Sequence, residues 1–164
     1  MNPLGGLVGN DLNPAANIIE FDPTAVGTFN NINVNLNLGD DTVTINSLRE
    51  GGPEGLDIRN DANEGDDTIH IAGPIVDAGR QLLLRSEHIT LANQISTQNP
   101  TVRLEGDVTL TSNSEINAGT GAVIASDTID GAYDLTVTGG LVQFDGDIGS
   151  TAPLTDLTAA CNIV

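Results

Sequence analysis

Leu82-Leu83-Leu84 followed by Ile89-Thr90-Leu91 is restated further along as Val102-Arg103-Leu104 followed by Val108-Thr109-Leu110. This stretch, residues 82–110, decides the fold. Alternation at period two sends the outer residues of each triplet to one side of a strand and the middle one to the other. Working outward, the first series extends back to Ile69-His70-Ile71 and Val43-Thr44-Ile45, with steps of 26, 20 and 19 residues between members. The second extends back to Leu56-Asp57-Ile58, with steps of 26 and 20. Both lengthen by the same amount in the same interval, between Leu56 and Ile69, which is what one insertion does to two faces of a stacked coil. Asn60 to Gly65 is the expected place for the extra residues. Stacked units bury a core that no single unit could bury. The expectation is an all-β, single-stranded parallel β-helix (β-solenoid) with coils of about 19–26 residues.

Composition agrees. Aromatic residues are limited to Phe21, Phe29, Tyr133 and Phe144, too few for an ordinary compact core but sufficient for thin layers of Val, Ile and Leu. Thr, Asn, Asp and Gly are abundant, as expected of strands broken by tight turns. The chain has 23 acidic residues against five Arg (Arg49, Arg59, Arg80, Arg85, Arg103) and no Lys, for a net charge of −18. Such a surface repels nucleic acid and anionic membrane and attracts cations. No apolar run reaches membrane-span length. Cys161 is the lone cysteine, which rules out an internal disulfide, and it reads as a small buried apolar residue.

Residues 1–31 read as an irregular lead-in or N-terminal cap, and 32–164 as the β-helix, with coils clearest to about Gly149. Glu50 to Gly55 reads as a turn. The opening Met1-Asn2-Pro3-Leu4-Gly5-Gly6 lacks the charged and apolar regions of a secretory signal. The closing Ala160-Cys161-Asn162-Ile163-Val164 is strand-like and uncapped, so the chain is expected to be a fragment of a longer repeat protein.

The repeat phase turns scattered charges into outward columns. Arg59 is expected to stack on Arg85 and Glu105, and Asp57 on Leu83 and Arg103. Glu105 would then pair with Arg85 and Arg103, and Asp57 would offset Arg59. As a catalytic cluster for polysaccharide cleavage this set is thin, because such chemistry needs a base or paired carboxylates in a groove, and neither histidine is expected beside it. The ranks Thr42/Thr44, Thr68/His70, His88/Thr90 and Asp107/Thr109 are too interrupted by His and Asp for a flat ice-binding array.

Gly39-Asp40-Asp41-Thr42-Val43 repeats as Gly65-Asp66-Asp67-Thr68-Ile69. The motif resembles half of the calcium-binding nonapeptide of repeats-in-toxin proteins, without its leading Gly-Gly. It makes Asp40, Asp41, Asp66 and Asp67 the candidate metal ligands, for calcium, which takes six to eight oxygens.

A second resemblance lies toward the C-terminus. Ile116-Asn117-Ala118-Gly119-Thr120-Gly121-Ala122-Val123, then Asp134-Leu135-Thr136-Val137-Thr138-Gly139-Gly140, then Gln143-Phe144-Asp145-Gly146-Asp147-Ile148-Gly149, then Pro153-Leu154-Thr155-Asp156-Leu157-Thr158 follow one another in order. Residues 114–158 thereby resemble the repeats of large exported adhesins of the filamentous haemagglutinin type. That resemblance implies a right-handed parallel β-helix in a secreted or cell-surface bacterial protein. It also implies contacts with host or neighbouring-cell surface glycans or proteins made through the full-length protein. It offers no catalytic residues and no cofactor.

Overall fold

The computed structural model describes residues 32–48, 56–78 and 81–162, with the side chains of Ile32, Asn37, Leu38, residues 61–64, Asp77 and Ala78 excepted. The expected lead-in over 1–31 and the turn at 50–55 lie outside the described residues. Strands in chain order are β1 (Ile32–Leu38), β2 (Thr42–Ile45), β3 (Leu56–Glu64), β4 (Thr68–Ile71), β5 (Ile75–Ala78), β6 (Leu82–Leu91), β7 (Ile95–Thr97), β8 (Val102–Leu110), β9 (Ser114–Asn117), β10 (Ala122–Ala125), β11 (Ile129–Asp130), β12 (Asp134–Gly139), β13 (Leu141–Phe144) and β14 (Asp156–Cys161). There is no helix among the described residues.

All strand pairs are parallel, and they join strands from successive coils. β1, β3, β6, β8, β10 and β13 follow one another as hydrogen-bonded neighbours along one sheet, flanked by β2, β4 and β11. β5, β7, β9, β12 and β14 form the second sheet. The result is a parallel β-solenoid of about five turns. Its registers are those read from the triplets. Val43 pairs with Ile69, Ile69 with Ile89, and Ile89 with Val108, while Leu56 pairs with Leu82 and Leu82 with Val102.

Inward residues form columns along the axis. One runs Val34, Ile58, Leu84, Leu104, Ala125, Phe144. Another runs Val43, Ile69, Ile89, Val108, Ile129, Ile148. A third, on the second sheet, runs Leu48, Ile75, Ile95, Ile116, Val137, Ala159. Ile58, Ile69, Ile75, Leu84 and Ile95 are fully buried. A fully buried side chain of this size stabilises the fold by about 1.5–3 kcal/mol.

The shared insertion sits where the sequence places it. Arg59 pairs with Arg85 and Thr68 with His88, so six more residues occupy this corner in the coil of β3 and β4 than in β6. The two Gly-Asp-Asp turns stack beside it. Gly65 has φ +146°, and a Cβ there would lie 2.1 Å from the Gly39 carbonyl oxygen, so only glycine lets these turns approach so closely.

Two expectations need correction. Leu83 keeps its outward register between Asp57 and Arg103, yet it is only 7% exposed. It lies between the ion pairs that surround it on the same face, and long Arg stems shield apolar neighbours in such settings. Cys161 is exposed rather than buried. Its register above Gly139 is a core-facing one, but β14 is the outermost strand of its sheet among the described residues.

Candidate functional site: an acidic corner and its cleft

The corner at the insertion holds Asn60, Asp67 and Ser86, three of the five buried polar residues among those described, and it is built from latches between coils. Asp40 Oδ1 accepts the Asp66 amide at 3.0 Å, and Asp67 Oδ1 accepts the Asp41 amide at 2.8 Å. The Thr68 amide donates to the Asp41 carbonyl. One coil further on, the Asp67 amide donates to Glu87 Oε2 at 3.2 Å. Asn60 Nδ2 donates to both Glu87 oxygens at 2.8 and 2.9 Å. Ser86 Oγ and the His88 amide both donate to the Asp67 carbonyl. His88 Nε2 lies 2.8 Å from Asp66 Oδ1.

Asp67 stands out in this set. It is fully buried, and its Oδ2 has no hydrogen-bond partner. Burial pushes its pKa up, against the lowering effect of the Asp41 amide, and the charges of Glu87, Asp41 and Asp40 push it further up. Glu87 goes the other way. Burial alone would raise it, but hydrogen bonds from Asn60, its own amide and the Asp67 amide, with help from His88, hold it below the usual carboxylate range.

The Gly-Asp-Asp repeat therefore stacks as expected, but its four carboxylates do not surround one centre. Asp40 and Asp67 each hold an amide of the neighbouring turn, and Asp66 faces His88. Among the described residues no group of three or more His, Cys, Asp or Glu is placed to hold a metal ion. This donor set offers calcium no ready coordination shell of six oxygens.

The charged columns are as read from the repeat. Arg59 pairs with Asp57 at 2.5 Å, and Glu105 takes both Arg85 and Arg103 at 2.5 Å. Burial would raise the Glu105 pKa, but the two guanidiniums outweigh it and hold it low. Beside this cluster opens a cleft of about 520 Å³, lined by Asp66, Arg85, Glu87, His88, Glu105 and Asp107 among others. Here the structure departs from expectation, because His88 shares the cleft with Arg85 and Glu105. β6 has one more residue at this corner than β8, so His88 pairs with Asp107 one position off the coil spacing of Arg85 and Glu105. Arg103 and Asp57 stand outside the lining. The Thr ranks stack as expected, with His88 engaged by Asp66 and Asp107 by Thr128.

Sequence reasoning missed Asn60, Ser86 and Glu87 in this corner. It also missed a set of turn latches at one-coil spacing. Asn99 Oδ1 accepts from the Thr120 amide and hydroxyl, Asn113 Oδ1 from the Asp134 amide, and Asp130 Oδ1 from the amides of Thr151 and Ala152. Those two amides hold the Asp130 pKa low. The signal available was an Asn or Asp in each turn, one coil before a polar turn residue.

No protein-family model, curated protein or solved structure matches this chain.

Proposed function

We propose that the chain is a non-catalytic structural stalk segment of an exported, adhesin-like bacterial surface protein. The carrying observation is the continuous succession of parallel ladders from β1 to β13, with apolar columns inside and Asn or Asp latches at the turns. Every described coil is tied to the next by backbone hydrogen bonds, which favours length and stiffness over a converging site. The haemagglutinin-type order of motifs over residues 114–158 supports the placing at a cell surface. In this reading the glycan or protein contacts belong to the full-length protein, which the stalk carries outward.

The test removes one coil. Deleting residues 102–122 joins Thr101 to Val123, the register partner of Val102. Set between a bead and a binding module of known ligand, the shortened chain should still fold cooperatively and support capture, with its reach reduced by one coil spacing of about 4.8 Å. Loss of capture by a chain that folds would contradict a spacer role.

A second reading rests on the cleft that Arg85, His88 and Glu105 share: a fragment of a β-helix carbohydrate-active enzyme. Release of reducing ends or unsaturated products from acidic polysaccharides by the purified chain, abolished in His88→Ala, would replace the stalk reading with this one.

A further inference from the structure

Two carboxyls meet at the insertion corner, and the donors around them are unevenly shared. Asn60 Nδ2 reaches both oxygens of Glu87, at 2.8 and 2.9 Å, and the Asp67 amide reaches Glu87 Oε2 at 3.2 Å. A carboxyl with donors on both oxygens is held in its ionised form. The Asp67 carboxyl takes one donor, the Asp41 amide on Oδ1, and its Oδ2 is buried with no partner. That one donor favours a charge on Asp67, but full burial and the like charges of Glu87, Asp41 and Asp40 oppose it.

Among the described residues, the titratable groups around Asp67 are Asp40 and Asp41 in the turn before β2, Asp66 beside it, and Glu87 and His88 on β6. His88 Nε2 faces Asp66 at 2.8 Å. Of the nearby arginines, Arg59 on β3 pairs with Asp57 and Arg85 on β6 with Glu105. The two Gly-Asp-Asp turns touch so closely at Gly39 and Gly65 that a Cβ has no room between them. The fully buried Asp67 carboxyl therefore reaches water only when the turns part.

We propose that Asp67 and Glu87 form a one-proton latch between coils: the corner is shut with the proton on Asp67 and the charge on Glu87, and release of that proton to solvent parts the two Gly-Asp-Asp turns. In the shut form Asp67 keeps one oxygen for the Asp41 amide, and the buried oxygen carries no bare charge. Losing the proton sets a second charge beside Glu87 in a site closed to water. On acidification the first proton goes to Asp67 and the second to Glu87, where it disturbs the bonds from Asn60 and the Asp67 amide. The pKa directions agree. Burial pushes Asp67 up, and the like charges add to it. Burial pushes Glu87 up too, but the Asn60 side chain and the amides outweigh it and hold Glu87 low. The contribution of Asp67 is therefore full below its unfolded value of 3.8 and is lost as pH rises through the folded value. The opening stays at the corner, because the β1–β3 and β3–β6 ladders carry their own backbone bonds.

Side-chain carboxyl NMR on the whole chain, titrated from pH 8 to pH 3, reads the order of protonation, and amide hydrogen exchange reads the opening. Asp67 should take its proton before Glu87. The Asp41 and Thr68 amides cross between the two turns. Their protection, with the intrinsic exchange rate divided out, should fall as pH rises, by up to about tenfold per pH unit until Asp67 is ionised. The Ala118 amide, bonded to the Thr138 carbonyl, should keep its protection over the same range. Asp67→Asn should make the Asp41 amide's protection independent of pH between pH 5 and pH 8. Glu87→Gln should let Asp67 lose its proton at lower pH. Protonation of Glu87 before Asp67 in the wild-type chain would overturn the proposal, whatever the variants do. So would Asp41 protection that does not change with pH, or a change that Asp67→Asn leaves intact.

Discussion

Asp67 reaches back one coil to accept the Asp41 amide with Oδ1 at 2.8 Å, while its Oδ2 is buried with no partner. One carboxyl thus fastens a turn with one oxygen and leaves the other desolvated among Asp40, Asp41 and Glu87. An unpaired buried charge is costly, and a carboxyl so placed has its pKa raised.

The pH consequence follows from the raised pKa. The folded chain binds this proton more tightly than the unfolded chain does, so the contribution of Asp67 to stability is full below its unfolded value of 3.8 and is lost as pH rises through the folded value. Asp67→Asn keeps an oxygen for the Asp41 amide and removes the charge. Its melting temperature should exceed that of the wild type at pH 8, by about 2–4 °C for each kcal/mol relieved, and the gap should close toward pH 4. An equal loss of stability at both pH values would show that the buried charge is not the governing feature.

Glu105 has the opposite sign. Its pKa is lowered by Arg85 and Arg103, so its contribution is present above the unfolded value of 4.5 and is lost as pH falls through the folded value. Glu105→Gln should cost about 1 kcal/mol near neutral pH, the upper range for partly exposed pairs. The variant and wild-type stability curves should converge in acid. Chemical denaturation at pH 7 and pH 3 measures both points.

The two turn glycines separate backbone strain from collision. Both have positive φ, +103° at Gly39 and +146° at Gly65, but an added Cβ has open space at Gly39 and meets the Gly39 carbonyl oxygen at Gly65. Gly39→Ala should cost about 1–3 kcal/mol for the backbone alone. Gly65→Ala should cost clearly more, because the clash falls on backbone that cannot yield without opening the corner. Equal denaturation midpoints for the two variants would contradict this stacking of turns.

Calcium is tested directly by thermal melts in EDTA and in millimolar calcium. With Asp40 and Asp67 each holding a backbone amide, the midpoint should be the same in both. A rise of several degrees in calcium would mean that these turns rearrange to coordinate it, as the resemblance to toxin repeats implies.

Much of this architecture is legible in the sequence, because β-branched and leucine triplets recur at coil spacing. Val43, Ile69, Ile89 and Val108 give the register, and the joint lengthening between Leu56 and Ile69 locates the corner. Columns such as Arg59–Arg85–Glu105 then follow by arithmetic, and their ion pairs are the ones expected. What stays hidden depends on shape rather than period. Asp67 sits in a polar motif, and nothing in the alternation tells that its turn folds under Glu87. Leu83 is an outward residue by register and a covered one by its neighbours. Cys161 is inward by register and exposed on β14, the outermost strand of its sheet among the described residues. The inward positions of the second sheet mix Ile, Leu and Val with Thr97, Ser114 and Gly139, so its ladder does not announce itself as the first does. His88 lines the cleft beside Arg85 and Glu105, next to a register shift in the β6–β8 pair.

The central claim is that the stacked coils form one stiff body. Asn33 and Gln143 lie on the same outward column through Asp57, Leu83, Arg103 and Ile124, and both are exposed. Five coil steps of about 4.8 Å separate them, or about 24 Å of backbone. Spin labels at Asn33→Cys and Gln143→Cys, with Cys161→Ser, report that distance by pulsed electron–electron double resonance. The expected result is a single narrow distribution near that spacing once label length is included. A broad distribution, or two separate distances, would contradict a rigid solenoid and with it the stalk.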